Sequence, residues 1–322
     1  MVEKIDDRYK VISKIGQGGM AEIYLAEDMF DRKRVAIKVL HPDKKNDVVA
    51  TKRFNSEMTL TKTVDSPYVI KIYDWKFDDE VQYIVMEHVE GSIFKDYIER
   101  RTKLTVDETI EFSKQLALGF AEIHRRGIIH RDIKSSNIMI SDHGKVKIID
   151  FGIALTEESD RLTRADSIIG SVQYLAPEIL DQEKPTRQWD IYALGVLMFE
   201  MLTGACPFNE KDAISTALKH KSSAVPHVNK IVDSVPQSVA NIVIKATAKD
   251  RSKRYNTMNE FYNDLKDSLS NDRLYEPLIN LDGKKKKDFF SIMNSRWTLV
   301  GILSAVIIIM LAVIIGLVWG LQ

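Results

Sequence analysis

The segment His130-Arg131-Asp132-Ile133-Lys134-Ser135-Ser136-Asn137 and the later Asp150-Phe151-Gly152 set four polar side chains of different chemical use at fixed spacing. Asp132 is a carboxylate suited to taking or orienting the proton of a hydroxyl. Lys134, two residues on, can neutralise a phosphoryl group in flight. Asn137 and Asp150 are hard oxygen donors of the kind Mg²⁺ prefers. The 12 residues between them are enough for a short β-hairpin that brings both to one place. Together these groups could transfer a phosphoryl group to a hydroxyl.

A second constellation lies near the N-terminus. Gly16-Gln17-Gly18-Gly19-Met20-Ala21 falls between two strand-like runs. A dinucleotide-binding fingerprint would instead need a helix to follow. A glycine-rich hairpin lets backbone N–H groups approach phosphate oxygens with no Cβ in the way. Many such loops are ordinary turns, so the motif gains force only from Lys38, at the end of Val35-Ala36-Ile37-Lys38. Alone, Lys38 would read as a lysine snorkelling to the surface. With the loop upstream and Glu57 in a helical stretch downstream, an ion pair positioning a phosphate clamp is the better reading.

The elements that must carry these residues follow from periodicity. Residues 9–15, 21–26, 34–40, 69–75 and 81–87 read as strands, and 47–64 as a helix with Phe54, Met58 and Leu60 among polar residues. From Ile93 helical patterns dominate, over 106–126, 189–203, 212–219, 238–249 and 258–268. In the first of these Ile110, Leu116, Phe120 and Ile123 recur at helical spacing. The expected architecture is α+β: a strand-rich unit with one long helix, then a mainly helical unit.

A chain of 322 residues exceeds one comfortable core, which fits two lobes. The formal net charge is zero, so bulk electrostatics offers nothing to a nucleic acid and no nucleic-acid partner is expected. Cys206 is the only cysteine, so no internal disulfide is possible. From Trp297 to Gln322 there is no charged residue, and 299–318 is almost wholly apolar. About 20 such residues cross a bilayer as a helix. Trp297 and Trp319 near its ends and Lys284-Lys285-Lys286-Lys287 with Arg296 before it predict a single pass, the N-terminal part cytoplasmic, in the cell membrane. The lysines are a solvated linker or a contact to anionic headgroups, at about 1 kcal/mol each. The lipid bilayer is thus an expected partner.

From 8 to about 268 the sequence resembles bacterial Hanks-type Ser/Thr protein kinases, in particular the membrane-anchored PASTA kinases. The likeness is carried by Gly16 to Tyr24, by Arg53-Phe54-Asn55-Ser56-Glu57, by the His130 and Asp150 motifs and by Ala176-Pro177-Glu178. It implies a bilobal kinase fold over 8–268, with the N-lobe at about 8–88 and the C-lobe at about 89–268. A basic linker at 269–296, a transmembrane helix at 297–319 and a short extracellular tail at 320–322 would follow. PASTA kinases carry extracellular repeats beyond the membrane. This sequence stops three residues past Trp319, so the repeats are either cut from it or naturally absent.

The resemblance also implies roles. ATP would be bound by Ile15, Gly16, Gln17, Gly18, Gly19, Met20, Ala21, Glu22, Ile23 and Lys38, with adenine at the Glu87 carbonyl and the Val89 N–H. Ala21 stands where most kinases have the third loop glycine. Asp132 and Lys134 would be catalytic, Asn137 and Asp150 the ligands of Mg²⁺ or Mn²⁺, and His130 a support for Phe151. Lys134 favours Ser/Thr over Tyr acceptors. Ser135 replaces a proline common in the group and carries no assigned role. Glu178 would pair with Arg254, and the helix of Asp190 would hold the catalytic-loop backbone.

Arg131 beside Asp132 calls for an anion, which a phosphorylated loop supplies. Thr163 stands at the family's first loop threonine, while Ala165 replaces the second. Autophosphorylation in trans at Thr163, with self-association, is therefore expected alongside transfer to Ser/Thr of other proteins. Ser171 is read as structural. The competing readings are a catalytically silent pseudokinase and a small-molecule phosphotransferase. Retention of Lys38, Asp132 and Asp150 counts against the first, and of Ala176-Pro177-Glu178 with Arg254 against the second.

Overall fold

The computed structural model describes residues 4–78, 80–151 and 172–281. The chain divides into two units, Met1–Ile279 and Asn280–Gln322. Gly152, Thr163, Ala165, Ser171, the lysine run at 284–287 and the apolar run at 297–319 lie outside the described residues. Among the described residues no helix is long and apolar enough to cross a membrane.

The first lobe is an antiparallel sheet with one helix. Its strands are β1 (Lys4–Ile5), β2 (Tyr9–Gln17), β3 (Ala21–Asp28), β4 (Lys33–Leu40), β5 (Ile72–Phe77) and β6 (Gln82–Glu87), in the order β1-β2-β3-β4-β6-β5. The pair Lys4–Ile5 joins the sheet ahead of the boundary expected at residue 8, because Ile5 pairs with Tyr9 and is buried. It is too short to register as a pattern. The fifth strand begins at Ile72 rather than 69. Val69 instead bridges to Ile148 in the other lobe.

The helix α1 (Val48–Lys62) is capped by Asp47, whose side chain accepts from the N–H groups of Val49 and Ala50. Its buried residues, Ala50, Phe54, Glu57, Met58 and Thr61, recur at helical spacing and form one stripe facing the sheet. Glu57 thus sits within an otherwise largely apolar stripe.

The second lobe is mainly helical: α2 (Phe94–Arg101), α3 (Val106–Arg125), α4 (Arg187–Thr203), α5 (Ala213–Ser222), α6 (Gln237–Ala246) and α7 (Met258–Lys266). The α2 helix went unpredicted, since Phe94-Lys95-Asp96-Tyr97-Ile98 offers only two fully buried positions, Phe94 and Ile98. A small sheet of β7 (Gly91–Ile93), β8 (Ile138–Ser141) and β9 (Val146–Ile148) stands beside these helices.

Every residue of α4 from Trp189 to Leu202 is buried, as expected of a helix that is apolar nearly all round. Gly195 lets α6 approach closely, because a Cβ there would lie 2.7 Å from that of Ala246.

The segment expected to begin a linker at 269 is packed as far as Ile279. Asn241 on α6 donates to Glu276 Oε1 (2.7 Å) and the Pro277 carbonyl (2.8 Å), and accepts from the Ile279 N–H (3.0 Å). Arg273 pairs with Asp264 and Glu276. A buried amide that satisfies three backbone or side-chain groups ties residues 271–279 to the helical lobe.

Candidate active site

The loop that carries Asp132 is held from outside by a buried carboxylate. Asp190, in the first turn of α4, accepts the backbone N–H groups of His130 and Arg131, each at 2.9 Å, and meets His124 Nε2 at 2.7 Å. Burial pushes this carboxyl up, but the His124 and loop hydrogen bonds outweigh it and hold it below its ordinary value. Arg131 adopts φ 67, a left-handed conformation costly for a residue with a Cβ. The two N–H groups can converge on one carboxylate only because the chain turns there.

His130 is buried between the rings of Phe120 and Phe151, with centroids 5.4 and 5.5 Å away. Burial lowers its basicity despite the carboxylates of Asp190, Asp132 and Asp150. Its Nδ1 accepts the Asp132 N–H at 3.3 Å, consistent with a neutral ring. The histidine packs Phe151 and fixes the backbone of Asp132.

The polar cluster follows directly. Lys134 Nζ and Asn137 Nδ2 both donate to Asp132 Oδ2, at 2.7 and 2.9 Å, and Asn137 Nδ2 also reaches the Asp132 carbonyl. A carboxylate, an ammonium and an amide therefore meet at one oxygen. The β8–β9 hairpin brings Asp150 back to Asn137, since the Ile149 N–H donates to the Asn137 carbonyl at 3.1 Å. The hairpin is anchored in turn by Ile148, which exchanges backbone hydrogen bonds with Tyr68 and Ile70.

From the other lobe, β4 delivers Lys38. Its Nζ lies 2.6 Å from Glu57 Oε1 and 3.8 Å from Asp150 Oδ1. The Lys38 and Glu57 side chains are only 12% and 10% exposed, so neither could stay charged there without the other. Burial alone would lower the Lys38 pKa, yet the carboxylates of Glu57 and Asp150 hold it above its ordinary value. Burial pushes Glu57 up to about 7, opposed by Lys38 and reinforced by Asp150.

The glycine loop closes over as a tight hairpin, with Gly18 N–H donating to the Ala21 carbonyl at 2.8 Å. A Cβ at Gly19 would meet nothing within 4 Å, so its backbone is open to an incoming group. Gly16 faces Ile23 across the hairpin, and Gln17 pairs with Glu22. Ala21 is buried with Leu40, Phe54, Met58 and Ile84, with Met20 packed against them. Its methyl group therefore serves the core of the lobe, which accounts for the missing third glycine.

Not every expected residue offers its side chain. Glu22 is engaged by Lys14 (2.5 Å) and by Tyr24. Ile15 is half exposed on β2. Glu87 at the end of β6 accepts from Lys147 at 2.8 Å, and its N–H donates to the Lys71 carbonyl. Val89 is buried just beyond it.

Asn137 and Asp150 fit a divalent cation by the chemistry of their donors. The Asn137 nitrogen is committed to Asp132, so its amide oxygen is the atom left to ligate, and the Asp150 carboxylate is 44% exposed. One carboxylate and one amide oxygen suit Mg²⁺, which keeps several waters and takes the rest of its shell from phosphates.

Away from the cluster, Arg254 donates to both oxygens of Glu178, at 2.7 and 2.8 Å, with its side chain fully buried. Three groups escaped sequence reasoning: His124 as partner of Asp190, Lys147 as partner of Glu87, and Glu200 on α4. The last was findable, because a lone glutamate in Leu197-Met198-Phe199-Glu200-Met201-Leu202 needs a partner just as Lys38 does.

The Lys38–Glu57 pair makes a prediction about stability. In Lys38→Met the charge that pulls Glu57 down is gone, so its folded pKa climbs further above the unfolded value. A raised folded pKa contributes stability at low pH that is lost as pH rises through it. Relative to wild type the variant should lose up to about 2 kcal/mol more at about pH 8.5 than at about pH 5.5, because the two diverge only above the wild-type value of about 7. Adding Glu57→Gln should remove that pH dependence. Denaturant titrations across the range check both, and a pH-independent loss in the single variant would contradict the coupling.

Residues 9–265 match the family model for the protein kinase domain. The chain is 43% identical over 274 residues to serine/threonine-protein kinase PrkC of Bacillus subtilis, covering 85% of this chain and 42% of that protein. It is 42% identical over 268 residues to the probable serine/threonine-protein kinase PknB of Lactococcus lactis, covering 83% and 43%. To the serine/threonine-protein kinase PknA of Corynebacterium glutamicum it is 34% identical over 263 residues, covering 80% and 55%. The chain thus spans about half the length of the curated relatives it matches. With a bilobal fold, a buried Lys38–Glu57 pair and the Asp132 cluster in one unit, the chain belongs to the protein kinase family, among the bacterial Hanks-type Ser/Thr kinases.

Proposed function

We propose that this chain transfers the γ-phosphoryl group of ATP to Ser and Thr hydroxyls of proteins, its own chain among them, while anchored in a membrane by residues 297–319. The observation that carries the first part is the convergence of Lys134 and Asn137 on Asp132 Oδ2, with Lys38, Glu57 and Asp150 a hairpin away.

Members of the family use ATP with Mg²⁺ or Mn²⁺. Asn137 and Asp150 would hold the cation, which supplies charge neutralisation at the phosphates when bound. The glycine loop Gly16–Ala21 would cover the phosphates with backbone N–H groups, flanked by Ile15, Glu22 and Ile23, and Lys38 would clamp them. The Glu87 carbonyl and Val89 N–H would take the adenine.

The chain's own groups then divide the work. The Asp132 carboxylate orients the acceptor hydroxyl and takes its proton as the oxygen–phosphorus bond forms and ADP departs. Lys134 Nζ, already beside that carboxylate, neutralises charge on the phosphoryl group. Because the transition state is loose, positioning and charge matter more than the strength of the base.

Membrane anchoring is supported by the 26 uncharged residues from Trp297 to Gln322 and by the four lysines before them. The likeness to Ser/Thr kinases supports protein acceptors. Autophosphorylation in trans at Thr163 is supported by its position in the loop and by Arg131 beside Asp132. Two chains tethered in one membrane plane meet at raised local concentration.

Labelling with γ-³²P-ATP tests the activity. Wild type should label itself and an added protein acceptor, and Asp132→Asn should lower both by about 10²–10⁴-fold. Undiminished labelling by that variant would remove Asp132 from its role, and absence of label from wild type would favour a silent nucleotide-binding module. Phosphopeptide mapping of the labelled chain should find Thr163, and an active enzyme with no phosphate there would contradict the regulatory part.

The anchor is tested separately. A high-salt wash screens the lysines but cannot extract an apolar helix, so the full chain should remain with membranes. Release by salt alone would make the association peripheral.

A further inference from the structure

Ser135 follows Lys134 directly and has no part in the scheme above. Its side chain is 1% exposed and stands in a closed triangle of polar groups. Ser135 Oγ lies 3.1 Å from Tyr174 Oη and donates to Glu200 Oε1 at 3.1 Å, while Tyr174 Oη donates to Glu200 Oε2 at 2.7 Å. Tyr174 and Glu200 are also buried, at 6% and 8%.

The three residues come from three places. Ser135 opens the short 3₁₀ turn Ser135–Asn137 of the catalytic loop, Tyr174 ends the turn Val172–Tyr174, and Glu200 lies on α4. A buried network of this kind fixes spacing only while every member is satisfied. Removing the Ser135 hydroxyl would strip Glu200 Oε1 of its donor in a largely buried place.

Tyr174 touches the residue beside Lys134, so the 172–175 turn forms a wall of the space next to Asp132. The far side of that wall is fixed as well. Gln173 donates to Asn209 at 2.8 Å, and Glu178 is held by Arg254. A protein delivering a hydroxyl to Asp132 would meet this turn, which is bonded to the residue after Lys134. Nucleotide groups, by contrast, are met by Lys38 and the glycine loop.

We propose that Ser135 is a positioning residue for the acceptor: through Tyr174 and Glu200 it holds the 172–175 turn at a set distance from Asp132 and Lys134. The inference rests on the kinase reading of the site. It separates two reactions. Transfer to a protein hydroxyl needs the wall in place, whereas slow transfer to water needs only the nucleotide side.

The test compares wild type, Ser135→Ala, Tyr174→Phe and the double variant in four measurements: kcat/KM for a protein acceptor, ATP hydrolysis without acceptor, KM for ATP, and amide hydrogen exchange over residues 172–178. In Ser135→Ala the acceptor kcat/KM should fall by about tenfold to a hundredfold, with hydrolysis and the ATP KM within about twofold of wild type. Exchange over 172–178 should quicken. The double variant should lose little more than the larger single loss, because both remove one network.

Unchanged acceptor turnover and exchange in Ser135→Ala would overturn the inference and leave the kinase reading intact. A parallel loss of acceptor transfer, hydrolysis and ATP binding would mean general support of the fold, and would overturn it too. A wild-type chain that labels no acceptor would instead overturn the kinase reading. The exchange measurement would then still decide whether Ser135 pins the turn.

Discussion

Asp190 accepts the N–H groups of two consecutive residues, His130 and Arg131, and is itself held by His124. Without that convergence Arg131 would have no reason to keep φ 67, a conformation that costs a non-glycine residue about 1–2 kcal/mol. The turn it stabilises points His130 inward against Phe120 and Phe151 and sets the backbone of Asp132. Lys134 and Asn137 reach Asp132 Oδ2 only from that backbone. One buried carboxylate on α4 therefore stands behind the whole polar cluster.

The same helix supplies a second buried carboxylate, Glu200, ten residues further along. At 1.5 Å per residue the two are separated by about 15 Å of helix. Asp190 takes the start of the loop at His130, and Glu200 takes Ser135, just past Lys134. A helix buried on all sides cannot rotate or shift without unpacking its neighbours, so it makes a rigid bar for both attachments. The N-lobe joins this frame through Lys38 to Asp150, which extends the Lys38–Glu57 pair to the end of the β8–β9 hairpin, through Glu87 to Lys147, and through the backbone of Tyr68 and Ile70 to Ile148.

Much of this was legible because the residues that do chemistry are types that need partners. Lys38 in an apolar strand, Glu178 with Arg254 and the hard donors Asn137 and Asp150 each announce an unmet requirement, and the structure supplies a partner for the first two. The long helices α3 and α4 were equally readable. What escaped was local in sequence or purely tertiary. The pair Lys4–Ile5 is too short to show a period, and α2 buries only two side chains. Packing of 271–279 depends on Asn241, 35 to 38 residues from the groups it bonds, which no pattern in the polar segment reveals. Ser135 looked like a neutral replacement because its partners, Tyr174 and Glu200, are distant in sequence.

The central claim is that α4, through Asp190, sets the geometry on which phosphoryl transfer depends. The most direct measurement is turnover per folded molecule of Asp190→Asn, with unfolding followed in parallel. The amide keeps the size of the side chain but puts an NH₂ donor in place of one of the two oxygens that accept the His130 and Arg131 N–H groups. The account predicts a chain that still unfolds cooperatively, less stable by about 3–5 kcal/mol, still binding ATP, with transfer to a protein acceptor down about a hundredfold or more. Wild-type turnover from Asp190→Asn would mean that the loop holds its shape without α4, and would contradict the account.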